Sequence, residues 1–198
     1  MRGMPVVQAL QVLADLCVAD QIVVTNQGSA RIWPKLRSRA LDFHYNPSTM
    51  GGAIPLGLGL ALAQPRREVI VVSGDGSLLM SLGSLLTVVS AGATNLSIVL
   101  LDNGIYEVTG GQKTPATSAV DYCGLARGAG FPSVLDFKQL DQWQAGAADA
   151  LRQPGPRFLR LAVQPAPEEY LRFPTPPMAE QLAELRRALG VATDQIVS

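Results

Sequence analysis

The chain has 198 residues, of which 47% are hydrophobic and 16% charged, and its formal net charge is zero. A chain of this length forms one domain with a sizeable core, and a neutral balance without long Lys/Arg clusters argues against nucleic acid as a partner. The longest apolar run, residues 53–63, is about half a membrane span, and the N-terminus has no signal-peptide pattern. We therefore expect a cytoplasmic protein without a membrane segment, in which Cys17 and Cys123 are reduced packing residues.

Helical and strand patterns alternate along the chain without an internal repeat. Four predicted helices cover residues 5–18, 51–63, 78–91 and 120–128. A fifth is expected to be capped by Asp136 and to end near Arg152, and a final helix follows a Pro-rich stretch. The predicted strands cover residues 21–25, 69–72, 96–101, 133–135 and 157–163. Residues 26–29 read as a turn, and residues 30–43 give a mixed pattern.

The strands are continuous apolar runs, which is typical of a parallel sheet covered on both faces. We predict a single doubly wound α/β domain over residues 1–198, with a mostly parallel sheet and helices on both faces. From about residue 164, a Pro-rich segment and a helix are expected to pack on this domain or on a partner.

Two of the predicted strands end in groups that suit a metal–phosphate site. One ends at Gly74-Asp75-Gly76-Ser77 and the next at Asp102-Asn103, with 25 residues between Gly76 and Asp102. In a doubly wound sheet both ends lie at the same edge, where ligands bind at a switch in strand order. Carboxylate and amide oxygens are ligands that Mg²⁺ accepts together with phosphate, and glycines before a helix N-terminus suit an anion. For residues 74–77 alone, an ordinary strand-to-helix turn with a solvated Asp is the alternative.

The segment from Gly74 to Asn103 resembles the signature of thiamine-diphosphate-dependent enzymes, a Gly-Asp-Gly motif followed by a paired-polar Asn-Asn or Asp-Asn. Three further stretches, residues 48–51, 102–114 and 172–177, are similar to phosphonopyruvate and sulfopyruvate decarboxylases. The resemblance covers residues from about 20 to 190. It implies thiamine diphosphate and Mg²⁺ as cofactors and a small 2-oxo acid as substrate. Gly52 stands where a polar residue, often His, is expected in the phosphonopyruvate enzymes, which leaves the substrate open.

The resemblance also implies a role for individual residues. Asp75, Asn103 and the carbonyl of Ile105 would bind Mg²⁺, while two residues would act in catalysis: Met50 as a wedge between the cofactor rings, and Ser48 through its carbonyl, which would accept a hydrogen bond from the exocyclic amine. The residues implied to contact the cofactor are Gly28, Ser29, Ser48, Met50, Gly74, Asp75, Gly76, Ser77, Asn103, Ile105 and Tyr106. By residue type alone, Met50 can equally be core filler, and residues 28–29 a capped turn.

Three other residues are candidates without an assigned role. His44, the only histidine, is interpreted as a structural or surface residue, with a substrate or cofactor contact as the alternative. Glu107 follows the metal ligands, where it can contact substrate or remain a solvated carboxylate. Arg172 can meet an acidic substrate or a partner chain.

One catalytic group of the family is missing from the predicted site. In these enzymes a glutamate of a separate pyrimidine-binding domain activates the cofactor, whereas all six glutamates here lie in or after the diphosphate-binding region. We therefore expect a hetero-oligomer of two α and two β subunits, or larger, in which another subunit supplies the glutamate. Sulfopyruvate decarboxylase is divided in this way, and the chain resembles its diphosphate-binding subunit.

The resemblance thus predicts a subunit of a thiamine-diphosphate-dependent lyase, a 2-oxo acid decarboxylase. The alternatives are a subunit of an acetolactate-synthase-like carboligase and a non-catalytic cofactor-binding module. A nicotinamide-binding domain is disfavoured because no G-x-G-x-x-G follows the first strand.

Overall fold

The computed structural model of the protein describes residues 3–115, 120–172 and 174–191. Its strands are β1 (Ile22–Asn26), β2 (Asp42–Tyr45), β3 (Val69–Gly74), β4 (Leu96–Asp102), β5 (Ile105–Tyr106), β6 (Gln112–Lys113), β7 (Ser133–Phe137) and β8 (Arg157–Ala162). Its α-helices are α1 (Val6–Leu16), α2 (Gln27–Leu36), α3 (Ala53–Ala63), α4 (Asp75–Leu79), α5 (Gly83–Ser90), α6 (Tyr122–Ala129), α7 (Leu140–Arg152), α8 (Glu168–Leu171) and α9 (Met178–Ala188). A single 3-10 turn, Glu107–Thr109, follows β5. Phe173, within the Pro-rich stretch that carried part of the resemblance, lies outside the described residues, as do residues 192–198.

Six of the strands form one sheet in the order β2-β1-β3-β4-β8-β7, and every neighbouring pair is parallel. After β1 the chain moves to one side to form β2 and then returns to the other side of β1 to form β3. The strand order therefore reverses at β1, and a crevice opens between the loops that follow β1 and β3. This confirms the predicted doubly wound α/β fold and identifies the edge where a ligand fits.

The core consists of two layers, one on each face of the sheet. Successive residues of β3 alternate between them: Val69 and Val71 belong to the layer that includes α3 and α5, while Ile70 and Val72 belong to the layer that includes α1, α2 and α7. All four side chains are essentially fully buried. A strand covered on both faces has no polar side, which is why its sequence is a continuous apolar run.

Helix α9 covers the outer edge of β2. The side chain of Gln181 accepts a hydrogen bond from the His44 backbone N–H at 2.7 Å and donates to the His44 carbonyl at 3.2 Å. One buried amide therefore satisfies both backbone groups of an edge-strand residue, which would otherwise remain open to pairing with another strand. No helix in the described ranges is long and apolar enough to cross a membrane.

Two of the sequence predictions are wrong in detail, whereas the mixed pattern of residues 30–43 agrees with a segment that contains the rest of α2 and the start of β2. Residues 26–29 are not a free turn, because α2 begins at Gln27 directly after β1. Asp136 does not cap a helix but lies within β7, and α7 begins four residues later.

The predicted helix over residues 78–91 is also wrong, since it is two helices. The first, α4, begins at Asp75 and ends at Leu79, and α5 begins only at Gly83. The interruption at Met80–Leu82 turns Ser81 towards the loop that carries Met50, where its hydroxyl donates to the Gly51 carbonyl at 2.9 Å. A hydrophobic pattern cannot reveal this break, because the apolar residues on both sides still recur at helical spacing.

Candidate active site

A cleft lies at the carboxyl ends of β1, β3 and β4, at the reversal of strand order. All of the predicted cofactor contacts except Ser48 line it. Several further residues line it to which the sequence interpretation gave no individual role, and of these Asn26, Gln27 and Thr109 are polar. The structure therefore gathers side chains from four separate parts of the chain into one concave site.

Asp75 is the buried carboxylate of the cleft, with 1% of its surface exposed. Its oxygens accept hydrogen bonds from the Thr114 hydroxyl, at 3.2 Å, and from the backbone N–H groups of Gly76 and Gly104. Burial, and secondarily the charge of Asp102, raise the pKa of Asp75 to about 6. None of the ion pairs in the described residues involves Asp75. A buried carboxylate with neutral donors alone is stabilised as an anion when a cation binds beside it.

The Asn103 amide is held in one orientation by two hydrogen bonds. Its Oδ1 accepts from the Ile105 N–H at 3.0 Å, and its Nδ2 donates to Glu107 Oε1 at 3.2 Å. Both bonds require the same assignment of oxygen and nitrogen. The amide oxygen keeps a second lone pair for a ligand, as the predicted metal role requires.

Ser77 connects the end of β1 with the loop that carries Met50. Its hydroxyl oxygen accepts from Asn26 Nδ2 and from the Gly51 N–H, each at 3.0 Å. These two bonds fill its acceptor capacity, so that its proton is available to an anion in the cleft. Together with Ser81, it holds both backbone groups of Gly51 and thereby fixes the position of the preceding Met50.

Asn26 had no individual role in the sequence interpretation. It is 1% exposed and lines the cleft, and a capping box at the start of α2 joins its side chain to the Ser29 backbone. The sequence signal that could have identified Asn26 is its position as the last residue of β1, where the strand order reverses.

Ser29 differs from its predicted role in one respect. Its hydroxyl donates to the Asn26 carbonyl at 2.8 Å and accepts from the Asn26 N–H at 3.2 Å, so it caps the start of α2. The hydroxyl is therefore engaged within the chain. The N-terminal backbone of α2, at residues 27–29, remains at the cleft, where a helix N-terminus favours an anion.

Two glycines let other parts of the chain approach closely. A Cβ on Gly76 would stand 2.6 Å from the Tyr106 ring, and a Cβ on Gly28 would stand 2.6 Å from Glu107 Oε2. Real Cβ atoms do not approach neighbours so closely, so any larger residue would displace Tyr106 or Glu107. Both glycines are thus explained by packing at the cleft as well as by their predicted contact with the cofactor.

Ser48, His44 and Arg172 are not among the residues that line the cleft. His44 is buried and forms a 2.9 Å hydrogen bond between its Nδ1 and the Thr25 hydroxyl. Burial lowers the pKa of His44 to about 4, so the ring is neutral near pH 7. Arg172 is exposed and pairs with Glu168 on the same surface. The interpretation of His44 as a structural residue agrees with these contacts.

The donor set fits a small oxygen-seeking cation beside a diphosphate. Among residues 3–115, 120–172 and 174–191, no group of three His, Cys, Asp or Glu side chains gathers around one point. The predicted metal ligands are instead one carboxylate, one amide and one backbone carbonyl, which leaves coordination positions for phosphate and water, as Mg²⁺ prefers. The N-terminus of α2, where an anion is favoured, lies in the same cleft.

Comparison with known proteins identifies a matching family. Residues 24–161 match the family described as "Thiamine pyrophosphate enzyme, C-terminal TPP binding domain". A solved structure of a protein from Mycobacterium smegmatis, assigned as a thiamin diphosphate-dependent enzyme, superposes with a TM-score of 0.69. It is 24% identical and the match covers 82% of this chain and 32% of that one, so this likeness concerns the fold.

Two kinds of curated decarboxylase are similar in sequence. A phosphonopyruvate decarboxylase of Streptomyces viridochromogenes is 39% identical over 89% of this chain and 44% of its own length. The sulfopyruvate decarboxylase subunit beta of Methanothermobacter thermautotrophicus is 41% identical over 74% of this chain and 75% of its own length. The chain therefore spans less than half of the first relative and most of the second. Acetolactate synthases also match, at lower identity.

Proposed function

Because the chain belongs to the family of thiamine pyrophosphate enzyme C-terminal TPP-binding domains, we propose that it is the cofactor-anchoring subunit of a divided 2-oxo acid decarboxylase. The proposal rests on two groups at the switch in strand order. Asp75 is a buried carboxylate that forms no ion pair within the described chain, and the amide of Asn103 is held in one orientation by hydrogen bonds. The similarity to a sulfopyruvate decarboxylase β subunit over three quarters of that protein supports the divided arrangement.

The residues of this chain would hold the cofactor at its diphosphate end. Asp75, Asn103 and the Ile105 carbonyl would bind Mg²⁺, and the N-terminus of α2 with the Ser77 hydroxyl would hold the diphosphate. Met50, fixed through Gly51, would support the rings, and the Ser48 carbonyl would accept a hydrogen bond from the exocyclic amine. Bound thiamine diphosphate supplies a nucleophilic carbon and an electron sink for decarboxylation. The chain itself contributes binding, orientation and a buried electrostatic environment.

A second subunit would supply the activating glutamate. All six glutamates of the chain lie in its described part, and of these Glu107 alone lines the cleft. Glu107 lies at the metal side, with Oε2 close to Gly28 at the α2 N-terminus, so it stands beside the diphosphate end of the cleft. A pyrimidine-binding partner with its own glutamate completes the site in a hetero-oligomer of two α and two β subunits or larger, located in the cytoplasm.

The substrate would be a small 2-oxo acid of the kind that the names of the relatives indicate, such as sulfopyruvate or phosphonopyruvate. Protonation after decarboxylation gives an aldehyde, whereas capture by a second carbonyl compound gives an acyloin. The decarboxylase assignment is favoured over the carboligase because the acetolactate synthases are the more distant relatives.

The test is co-expression with the product of the adjacent open reading frame, followed by an assay of CO₂ release from a panel of 2-oxo acids. Thiamine diphosphate and Mg²⁺ are present throughout, and the panel includes sulfopyruvate, phosphonopyruvate and pyruvate. We expect the complex to decarboxylate at least one of them and neither chain alone to do so. Full activity of the isolated chain contradicts the divided site. An acyloin formed only with an added acceptor aldehyde supports the carboligase instead.

A further inference from the structure

We propose that Glu107 is a positioning residue that sets the metal-binding geometry of the cleft, rather than a group that contacts substrate. The inference rests on the function proposed above and assigns a task to a carboxylate that the family resemblance leaves without one.

The first reason is the hydrogen bonding of Glu107 Oε1. This single oxygen accepts from Asn103 Nδ2 at 3.2 Å and from the Ala166 backbone N–H at 2.6 Å. Ala166 belongs to the segment that follows β8, and Asn103 follows β4. The carboxylate therefore ties the metal loop to a backbone segment that is separated from it by 63 positions in the chain.

The second reason is the control that Glu107 exerts over Asn103. The Ile105 N–H fixes the oxygen side of the amide, and Glu107 fixes its nitrogen side. Removal of the Glu107 carboxylate leaves Nδ2 without this acceptor and lets the amide rotate about its remaining bond. An amide that rotates presents its oxygen to a metal for only part of the time, and outer partners of metal ligands commonly contribute to affinity in this way.

The third reason is the position of the other oxygen, Oε2. A Cβ on Gly28 would approach it to 2.6 Å, so Glu107 packs directly against the N-terminus of α2. The side chain thus spans the space between the metal loop and the anion-binding end of that helix. Its size and its bonds together define how far apart these two parts of the cleft lie.

Burial agrees with a structural task for this carboxylate. The Glu107 side chain is half-buried and lies among the residues that line the cleft. The Oε1 atom is already occupied by two donors, and this leaves little freedom for the side chain to follow a substrate.

The experiment measures how strongly thiamine diphosphate binding depends on Mg²⁺ in Glu107→Ala and Glu107→Gln. Titration calorimetry on the wild-type complex, co-purified with its partner, gives the reference Mg²⁺ concentration for half-saturation. Glu169→Ala serves as the control, because it removes an exposed carboxylate from α8 outside the cleft. Thermal unfolding of each variant is recorded in parallel.

We expect Glu107→Ala to raise the Mg²⁺ requirement by about tenfold or more, as removal of an outer partner of a metal ligand does. Glu107→Gln keeps an oxygen that can accept from both Ala166 and Asn103, so its Mg²⁺ requirement should stay close to that of the wild type. Glu169→Ala should not change it. If Glu107→Ala does not fold, Glu107→Asp replaces it, since the shorter carboxylate cannot reach both donors.

Three results would overturn the inference. An unchanged Mg²⁺ requirement in Glu107→Ala removes the positioning role. Equal losses in the Ala and Gln variants indicate that the charge acts rather than the geometry. Wild-type cofactor affinity combined with a loss of turnover in Glu107→Gln assigns Glu107 to the substrate instead. Absence of Mg²⁺-dependent cofactor binding in the wild type contradicts the proposed function itself, and so the two failures are distinguishable.

Discussion

The two halves of the carboxyl edge of the sheet differ in whether their carboxylates are paired with a basic side chain. Where β4, β8 and β7 end, Arg160 lies between two carboxylates, 2.6 Å from Asp102 and 2.7 Å from Asp136. Where β3 ends, Asp75 is buried more deeply and takes part in none of the ion pairs of the described chain. Both groups stand at the ends of parallel strands, yet only one of them is neutralised from within the protein.

This difference separates a structural charge cluster from a binding site. The arginine and the two aspartates complete each other and hold three strands together, so the cluster has no need of a ligand. Asp75 has only neutral donors around it, and a buried anion in this situation is stabilised when a cation is added. The following predictions test whether the two halves differ in function as they do in charge.

The largest expected effect follows removal of the proposed metal ligands. Asp75→Ala and Asn103→Ala should each weaken Mg²⁺-dependent binding of thiamine diphosphate by on the order of a hundredfold, because each removes an oxygen from the coordination shell. Asp136→Ala, which removes a carboxylate of the paired cluster, should leave the affinity unchanged and lower only the melting temperature. Calorimetric titration of the three variants makes the comparison. Equal losses of affinity in all three would show that the two halves are not distinct.

A second prediction concerns His44, which the fold keeps neutral. Its folded pKa of about 4 lies below the value of 6.5 for an unperturbed histidine. The unfolded chain therefore binds a proton first as the pH falls, and the folded state loses stability from about pH 6.5 downwards. Between pH 7 and pH 5 the loss should approach about 2 kcal/mol. His44→Gln should remove this part of the pH dependence, as measured by urea unfolding at both pH values. An identical slope in the variant would contradict the assignment.

Substitution of Gly51 tests whether the half of the edge that contains Asp75 depends on one backbone conformation. Its φ is +88°, and a Cβ there would stand 2.9 Å from the Ser81 Cβ. Gly51→Ala should therefore cost about 1–2 kcal/mol of folding free energy and displace Met50, with a matching loss of cofactor affinity. Gly59→Ala is a suitable control, because its Cβ would meet no atom within 4 Å. Urea unfolding and cofactor titration check both effects, and a Gly51→Ala variant with wild-type stability and wild-type cofactor affinity would contradict this prediction.

The smallest effect is expected from two serines at the helix break. Ser81→Ala removes the hydrogen bond to the Gly51 carbonyl and should cost about 1 kcal/mol, with a few-fold loss of cofactor affinity. Ser84→Ala is the matched control, since its buried hydroxyl has no hydrogen-bond partner among the described atoms. Its removal should be nearly neutral. A larger loss of affinity in the Ser84 variant would contradict the role given to the break.

The sequence predicts much of this molecule where a pattern is local and strong. The apolar runs of β3 and β4 indicate strands buried on both faces, and their polar ends indicate the ligand edge. The family resemblance supplies roles that patterns cannot, such as those of Met50 and Ser48, and these roles remain predictions. The gathering of nearly all the implied cofactor residues into one cleft is consistent with them.

The remaining features depend on contacts between distant parts of the chain. The division of α4 from α5 is stabilised by Ser81 reaching Gly51, thirty positions earlier, and nothing in the local pattern indicates that partner. Asp136 has the residue type of a helix cap but lies in β7, where it is the register partner of Arg160 on the neighbouring strand β8 and forms an ion pair with it. The role of Asn26 depends on the reversal of strand order at β1, which is a property of the whole sheet.

The most direct test of the account is the affinity for thiamine diphosphate measured with Mg²⁺, after chelation with EDTA, and after Mg²⁺ is returned. If the buried carboxylate of Asp75 is part of a metal–diphosphate site, thiamine diphosphate should bind saturably to the co-purified complex when Mg²⁺ is present. This binding should be lost with EDTA and restored when Mg²⁺ is returned. Equal affinity in the presence of EDTA, or no binding with Mg²⁺ present, would contradict it.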